Sequence, residues 1–276
     1  MTMRAAAVVR TLNFSPQRLN PLPNTGSEPY PCSMKAILIS IALLAGLLLF
    51  PGRNKAQLIV KPGDPLLRSE LIRSSHNYYK GIFADTLGNI IDQWVNDQVI
   101  SVDSATGRIT FARARQVPVG SYSTDTSVTD LSCKPLWMHE VHYRQNVSFT
   151  MNFDATNATV HTLRKGAASD RSYPMKSGYF EDNMIEYVYG YLDLAKGQTY
   201  TLDDFNKDAP APSDPVIVDY AFDDIWVLNT GALLNCRVLH FVHGAATGYI
   251  WIDKQTRCMI KELGTFQKGT FSITRI

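Results

Sequence analysis

The sequence predicts a mainly β, antiparallel domain carrying one or two helices. Three observations carry that reading. Residues 219–276 form a meander of short β-branched and aromatic runs bounded by Gly, Asp and Asn, the composition that strands and hairpins need. Val147, Phe149, Met151 and Phe153 alternate with Ser148, Thr150 and Asn152, the signature of a strand with one buried face. Helical spacing is convincing in one internal segment, Asp182 to Leu192.

Taken in order, the chain opens on 56 residues unlike the rest. Met1 to Ser33 are rich in Pro, Asn and Ser and show no periodicity. Met34-Lys35 then precedes an apolar run, Ala36 to Phe50, and a short polar stretch ending at Ala56. A basic start, an apolar core of about 7–15 residues and a small residue at the cut describe a secretory signal peptide. A membrane-spanning helix needs about 20 apolar residues. We therefore expect residues 1–33 to be a mis-annotated upstream extension, 34–56 a signal peptide, and 57–276 a single β-rich domain. The 276 residues carry 27 Lys and Arg against 25 Asp and Glu. Six of the basic residues and one Glu fall within 1–56, so the remaining 220 residues carry a formal charge of −3. Nucleic-acid binding needs clustered Lys and Arg on one face, and nothing of the kind remains. Cys133, Cys236 and Cys258 read as small buried hydrophobes, since a simple meander places Cys236 and Cys258 two strands apart, about 9–10 Å.

Leu66 to Tyr79 fits a helix, with Leu67, Leu71 and Ile72 on one face and Asp64-Pro65 at its start. Val95–Val102 and Arg108–Arg115 form a hairpin around Asp103–Gly107. Val119 to Lys134, rich in Ser, Thr and Asp, reads as loop. The strand at Val147 turns at Asp154–Asn157 and returns along Ala158–Leu163, and Lys165 to Ser177 reads as a polar loop. Asp182 can cap the helix, whose Met184, Ile185, Val188, Tyr191 and Leu192 share a face, while Gly190 weakens it by about 1 kcal/mol. A strand follows from Gln198 to Phe205. The Pro-rich patch Ala209–Pro215 bridges two strands, because Val216, Val218, Tyr220 and Phe222 resume alternation at once. Strands at Ala232–His243, Tyr249–Ile252, Cys258–Leu263 and Gly269–Ile276 complete a count of roughly ten.

Catalytic motifs are absent from residues 57–276: no nucleophile elbow, phosphate loop or dinucleotide fingerprint occurs. His139-Glu-Val-His142 and His240-Phe-Val-His243 offer imidazoles. Residues three apart on a strand face opposite ways, so neither pair chelates alone, and a site would need one His from each pair plus Glu140 or Cys236. The doublets Asp203-Asp204 and Asp223-Asp224 read as strand ends and turns. Aromatic residues crowd the second half of the chain, where they suit core packing of a curved sheet or an apolar ligand.

The helix Asp182-Asn-Met-Ile-Glu-Tyr-Val-Tyr-Gly-Tyr-Leu192, the turn Leu194-Ala-Lys-Gly197 and the strand and turn Trp251-Ile-Asp253-x-x-Thr-Arg257 occur in a telling order. Together they resemble an uncharacterised bacterial family of exported domains of unknown function, itself similar to the outer-membrane lipoprotein carrier and sorting proteins of the Lol type. The resemblance covers Tyr179 to Ile276, and Ile90 to Leu163 in spacing only. It implies a strongly curved antiparallel sheet, an open or half β-barrel, with one or two helices plugging the concave face. In the carriers that concavity holds acyl chains.

The expected function is therefore a non-catalytic cell-envelope module that binds or carries a lipid, lipoprotein or other apolar component. The alternatives are a metal-dependent envelope hydrolase and a scaffold with no ligand. Groove residues are expected to be Phe149, Met151, Phe153, Val188, Tyr220, Phe222, Tyr249 and Trp251, with no catalytic residue, metal or cofactor. Partners are expected to be an apolar envelope ligand or an envelope protein, not nucleic acid. Localisation is expected to be periplasmic or secreted after cleavage near Ala56, with no membrane span left. Intact mass of protein expressed from Met34 in a secreting host should correspond to a chain beginning at Gln57. Retention of Ala36–Phe50 in a membrane fraction would contradict it.

Overall fold

A computed structural model describes residues 57–117, 122–175, 178–207, 215–228 and 230–276. The signal-peptide and upstream segments, and most of the Pro-rich patch, lie outside the described residues. The strands are β1 (Gln57–Val60), β2 (Ser75–Asp85), β3 (Ile90–Asp103), β4 (Arg108–Gln116), β5 (Tyr122–Asp130), β6 (Pro135–His142), β7 (Val147–Phe153), β8 (Asn157–Arg164) and β9 (Ala167–Pro174). They continue as β10 (Phe180–Glu181), β11 (Thr199–Leu202), β12 (Asp204–Phe205), β13 (Val216–Val227), β14 (Leu233–His243), β15 (Ala246–Asp253), β16 (Met259–Phe266) and β17 (Gly269–Arg275). One α-helix, α1 (Asp182–Val188), runs into a 3-10 turn at Tyr189–Tyr191.

Fifteen strands form one open sheet in the order β1-β11-β13-β14-β15-β16-β17-β2-β3-β4-β5-β6-β7-β8-β9. All neighbours are antiparallel except β1 and β11. β10 and β12 make a separate parallel pair. The sheet is strongly curved, and two contacts show why it must be. Tyr187 of α1 packs on Phe111 of β4, ring centroids 5.1 Å apart. Gly190, less than one turn further on, abuts Ile252 of β15. In a flat sheet β4 and β15 would be about 24 Å apart. Only a sheet wrapped around the helix can meet both. Bulges at Phe83/Ala84, Val128/Thr129, Tyr220/Phe222 and Trp251/Ile252 supply local twist.

Met184, Ile185 and Val188 lie within a single principal core with Ile100, Phe111, Val218, Leu239, Ile250 and Ile273. A satellite core joins Met138, Val147, Phe149, Met151 and Val160 to Tyr179 and Phe205. A third cluster, Cys236, Val238, Trp251 and Ile260 with Trp226 and Leu234, covers the opposite, convex face. There Lys261 lies over both indoles, at 4.8 and 5.2 Å.

Several sequence readings need correction. Leu66 to Tyr79 is not a helix but a 3-10 turn at Ser69–Leu71 followed by β2. Val119 to Lys134 contains β5, and Lys165 to Ser177 contains the exposed edge strand β9. Both were hidden by polar residues: in β5 the inward side chains are Asp125, Ser127 and Thr129, which bond Arg113, Glu181 and the Asp130 carbonyl. The cap of α1 is Glu181 rather than Asp182, its carboxylate accepting from Asn183 N at 3.0 Å. The two hairpins and the C-terminal meander stand where the alternation puts them.

Gly190 is not a weak point. A Cβ there would sit 1.9 Å from the carbonyl oxygen of Arg257, so only glycine lets the 3-10 turn approach the β15–β16 connection. Gly190→Ala should destabilise residues 57–276 by at least about 2 kcal/mol in urea unfolding. A loss below about 0.5 kcal/mol would contradict this close approach.

Candidate functional site

The concave face carries an unusual number of charged residues, and strand register explains how they meet. Gln98, Arg113, Asp125, Glu140 and Phe149 are consecutive cross-strand partners from β3 to β7, so their side chains share one row. Arg113 is 9 % exposed. Its Nε donates to Asp125 Oδ2 at 2.9 Å, Nη1 to Glu186 Oε2 at 3.2 Å and Nη2 to Asn183 Oδ1 at 2.9 Å. Ser127 Oγ of β5 donates to Glu181 Oε2 at 2.5 Å, beside the helix cap. The helix is thus tied to β4 and β5 by hydrogen-bonded charges. On its far side Arg237 Nη1 donates to Leu192 O at 3.0 Å.

Further along the row, Glu140 receives His142 Nε2 at 2.6 Å and Lys207 Nζ at 2.7 Å, and Lys207 lies 4.5 Å from the Phe149 ring centre. A second group joins Asp182 of α1, Asp204 of β12 and His243 at the end of β14. Among the described residues this is the one set of three or more His, Cys, Asp or Glu side chains whose donor atoms gather within 4.8 Å. Of the site the sequence suggested, one His from each pair with Glu140 or Cys236, it contains His243 alone. His139 bonds Thr150 Oγ1, and His240 sits between Asp219 and Thr247.

The eight sequence-predicted groove residues do not share one groove. Phe149 and Met151 are buried in the satellite core with Phe153 packed against it, and Val188 is buried in the principal core. Tyr220 is half-buried and pairs with the core residue Leu239. Phe222 and Tyr249 are exposed, their rings 6.2 Å apart, and Trp251 lies in the convex cluster. The bulge at Tyr220/Phe222 adds one residue, so two side chains that alternation places together point to opposite faces.

Two of the remaining spaces bear on the concave face and its rim. Beneath the helix a cavity of about 20 Å³, lined by Tyr79, Ile100, Glu186 and Tyr187, holds nothing larger than a water. At the rim an open cleft of about 680 Å³ runs between β3, β4 and β6. Ile90, Ile91, Val117 and Tyr122 form apolar walls, with Arg115, His142 and Arg144 on the polar side. Arg115 Nε donates to Asn96 Oδ1 at 3.2 Å, and its guanidinium lies 5.2 Å from the Trp94 ring centre. No sequence signal singles out Arg113 or Arg115. Both fall within the alternating run Arg108–Arg115, and only the register shows that their face is the inner one.

Burial pushes the Glu262 carboxyl up to about 8, with the nearby Glu186 carboxylate adding to the rise and Arg113 opposing it. Tyr189 is the other titratable group facing it. A carboxyl whose folded pKa is raised stabilises the fold below the unfolded value near 4.5 and loses that stability as pH rises to about 8. Stability should therefore fall between pH 5 and pH 8, and Glu262→Gln should flatten that slope in urea unfolding at a series of pH values. An unchanged slope would contradict the assignment.

Among the described residues no helix is long and apolar enough to cross a membrane. The crystal structure of a β-barrel-like protein of the domain of unknown function DUF1849 from Brucella abortus is similar at 9 % identity, with a TM-score of 0.51 over 74 % of this chain and 95 % of that one. That likeness bears on the fold alone. A Bacteroides fragilis protein described as a candidate exported protein with a YmcC-like fold aligns at 7 % identity and a TM-score of 0.32, over 74 % of this chain and 96 % of that one. No curated protein matches the chain. The family described as "Protein of unknown function (DUF3108)" matches residues 84–273, well over half of the sequence, and the chain belongs to that family.

Proposed function

We propose that the domain is a non-catalytic cell-envelope module that binds the apolar part of a lipid or lipoprotein, and that the rim cleft receives it. The observation that carries this reading is the make-up of the cleft. Its volume of about 680 Å³ falls within the range of about 300–1,000 Å³ that suits a small ligand. Ile90 and Ile91 are more than half exposed at its edge, and Leu87 on the same β2–β3 hairpin is 85 % exposed. Exposed apolar residues gathered at a cleft in this way suit an apolar ligand. Arg115, His142 and Arg144, against the one acidic residue Asp92, also line the cleft and suit an anionic head group, so an amphiphile matches its mixed lining. The resemblance to lipoprotein carriers points to the same ligand class, by a different seat: here the centre of the concavity is filled by the domain's own side chains. That filling is also what favours the second reading, a scaffold without a ligand.

Protein purified from its own host should show bound lipid in native mass spectrometry, identified after extraction. The apo domain should bind a fluorescent long-chain fatty acid. Ile91→Ser should weaken binding several-fold, and Arg115→Ala by about 10-fold or more, the worth of a charge-assisted hydrogen bond. Trp251→Ala, on the convex face, should leave binding unchanged. A ligand-free protein that ignores the probe would establish the scaffold reading instead.

A further inference from the structure

The group Asp182, Asp204 and His243 is independent of the rim cleft; of its members the sequence offered only His243 as a ligand, while Asp203-Asp204 read as a strand end or turn. Backbone pairing brings the three together. β12 lies parallel to β10, which leads directly into α1, so Asp204 is set beside the first residue of the helix. Leu202, Val216 and His243 are successive cross-strand partners, which carries the end of β14 to the same place.

Asp204 is fully buried, and neither carboxylate oxygen receives a hydrogen bond among the described residues. His243 Nε2 lies 3.2 Å from Asp204 Oδ2, at ion-pair distance. Asp182 contributes a second carboxylate, so that one nitrogen and two oxygen donors lie within 4.8 Å of one another. Two carboxylates facing each other away from water repel unless a proton or a cation sits between them. Lys207, whose charge also reaches Asp182, pairs with Glu140 at 2.7 Å. One imidazole and two carboxylates are the borderline donor set that suits zinc or manganese, whose ligand atoms sit about 3.3 Å apart in a tetrahedral site. A small inward movement of the three side chains reaches that spacing.

We propose that Asp182, Asp204 and His243 form a divalent transition-metal site that fastens the start of helix α1 to the end of strand β14. The ion joins three segments that the sheet ladder leaves separate: the helix plug, the short β12 strand and the main meander. The site closes the concave face structurally and needs no substrate.

Chelator-stripped protein comprising residues 57–276 is titrated calorimetrically with Zn²⁺ and with Mn²⁺, and its thermal unfolding is followed with and without each ion. One ion per chain should bind, the unfolding temperature should rise, and chelator should reverse the rise. His243→Ala and Asp204→Asn should each lower affinity at least about 100-fold. The control His240→Ala, which removes the partner of Asp219 on the other face, should leave it unchanged. Should Asp204→Asn fail to fold, His243→Gln, at a partly exposed position, gives the same reading. Failure of both ions to bind the wild-type chain in stoichiometric amount overturns the proposal. So does binding that survives His243→Ala or His243→Gln, or binding that is lost in His240→Ala. Greater stability of metal-free Asp204→Asn together with absent binding would assign the pair a shared proton instead.

Discussion

The structure depends on one desolvated cation. Arg113 sits on the concave face with three different donors committed to Asp125, Glu186 and Asn183, so that a single guanidinium spans β4, β5 and the helix. A buried charge is costly unless every donor is matched, and here the matching groups come from the helix, 70 and 73 residues downstream, as well as from the next strand. Asp125 and Glu186 hold the guanidinium firmly charged, while burial raises the Asp125 carboxyl more than Arg113 lowers it. Removing either side would strand the other in a low-dielectric interior. The helix is consequently fixed in place by electrostatics as well as by packing, with Met184, Ile185 and Val188 supplying the apolar contact.

That helix in turn decides the shape of the sheet. Seven residues span only about 10 Å, yet α1 and its 3-10 extension touch β4 on one side and β15 on the other. Fifteen strands can satisfy both contacts only by wrapping, and the bulges allow the ladder to bend without losing register elsewhere. The wrapped sheet leaves a convex surface that is itself partly apolar. The Trp226, Trp251 and Lys261 stack, with Trp251 Nε1 donating to Asp224 Oδ2 at 2.8 Å, covers part of it. Edge strand β9 remains open but is almost wholly exposed, carries Asp170 and Arg171 and ends at Pro174, features that discourage edge-to-edge pairing.

These constraints bear directly on function. Because the helix fills the middle of the concavity, the space beneath it is water-sized, and the larger cleft lies at the rim, lined from β3, β4, β5 and β6. Arg115, two residues beyond Arg113 on the same face of β4, lines the cleft beside the polar row that fixes the helix. The cleft therefore inherits its cationic wall from the network that holds the plug. Its apolar wall comes from a hairpin that extends past the end of β4, since Val95 already pairs with Gln116 and Ile90 and Ile91 lie beyond.

Much of the fold was legible in the residues themselves. Strict alternation from Val147 to Phe153, the apolar runs of the meander and the spacing of Met184, Ile185 and Val188 each report a periodic burial that only one secondary structure can satisfy. Strand β5 was not legible, because its inward side chains, Asp125, Ser127 and Thr129, are polar and are matched by Arg113 and Glu181 from elsewhere. Gly190 was misread for the same kind of reason: its value lies in the carbonyl of Arg257, 67 residues away. The groove residues were chosen from strands whose facing alternation cannot specify, and one bulge was enough to separate Tyr220 from Phe222. By itself the sequence determined a β-rich antiparallel domain with one internal helix, since local periodicity depends only on neighbours along the chain. The direction of curvature, the buried ionic row, the rim cleft and the Asp182–Asp204–His243 group were decided by tertiary structure, because each rests on partners brought together across the sheet by register.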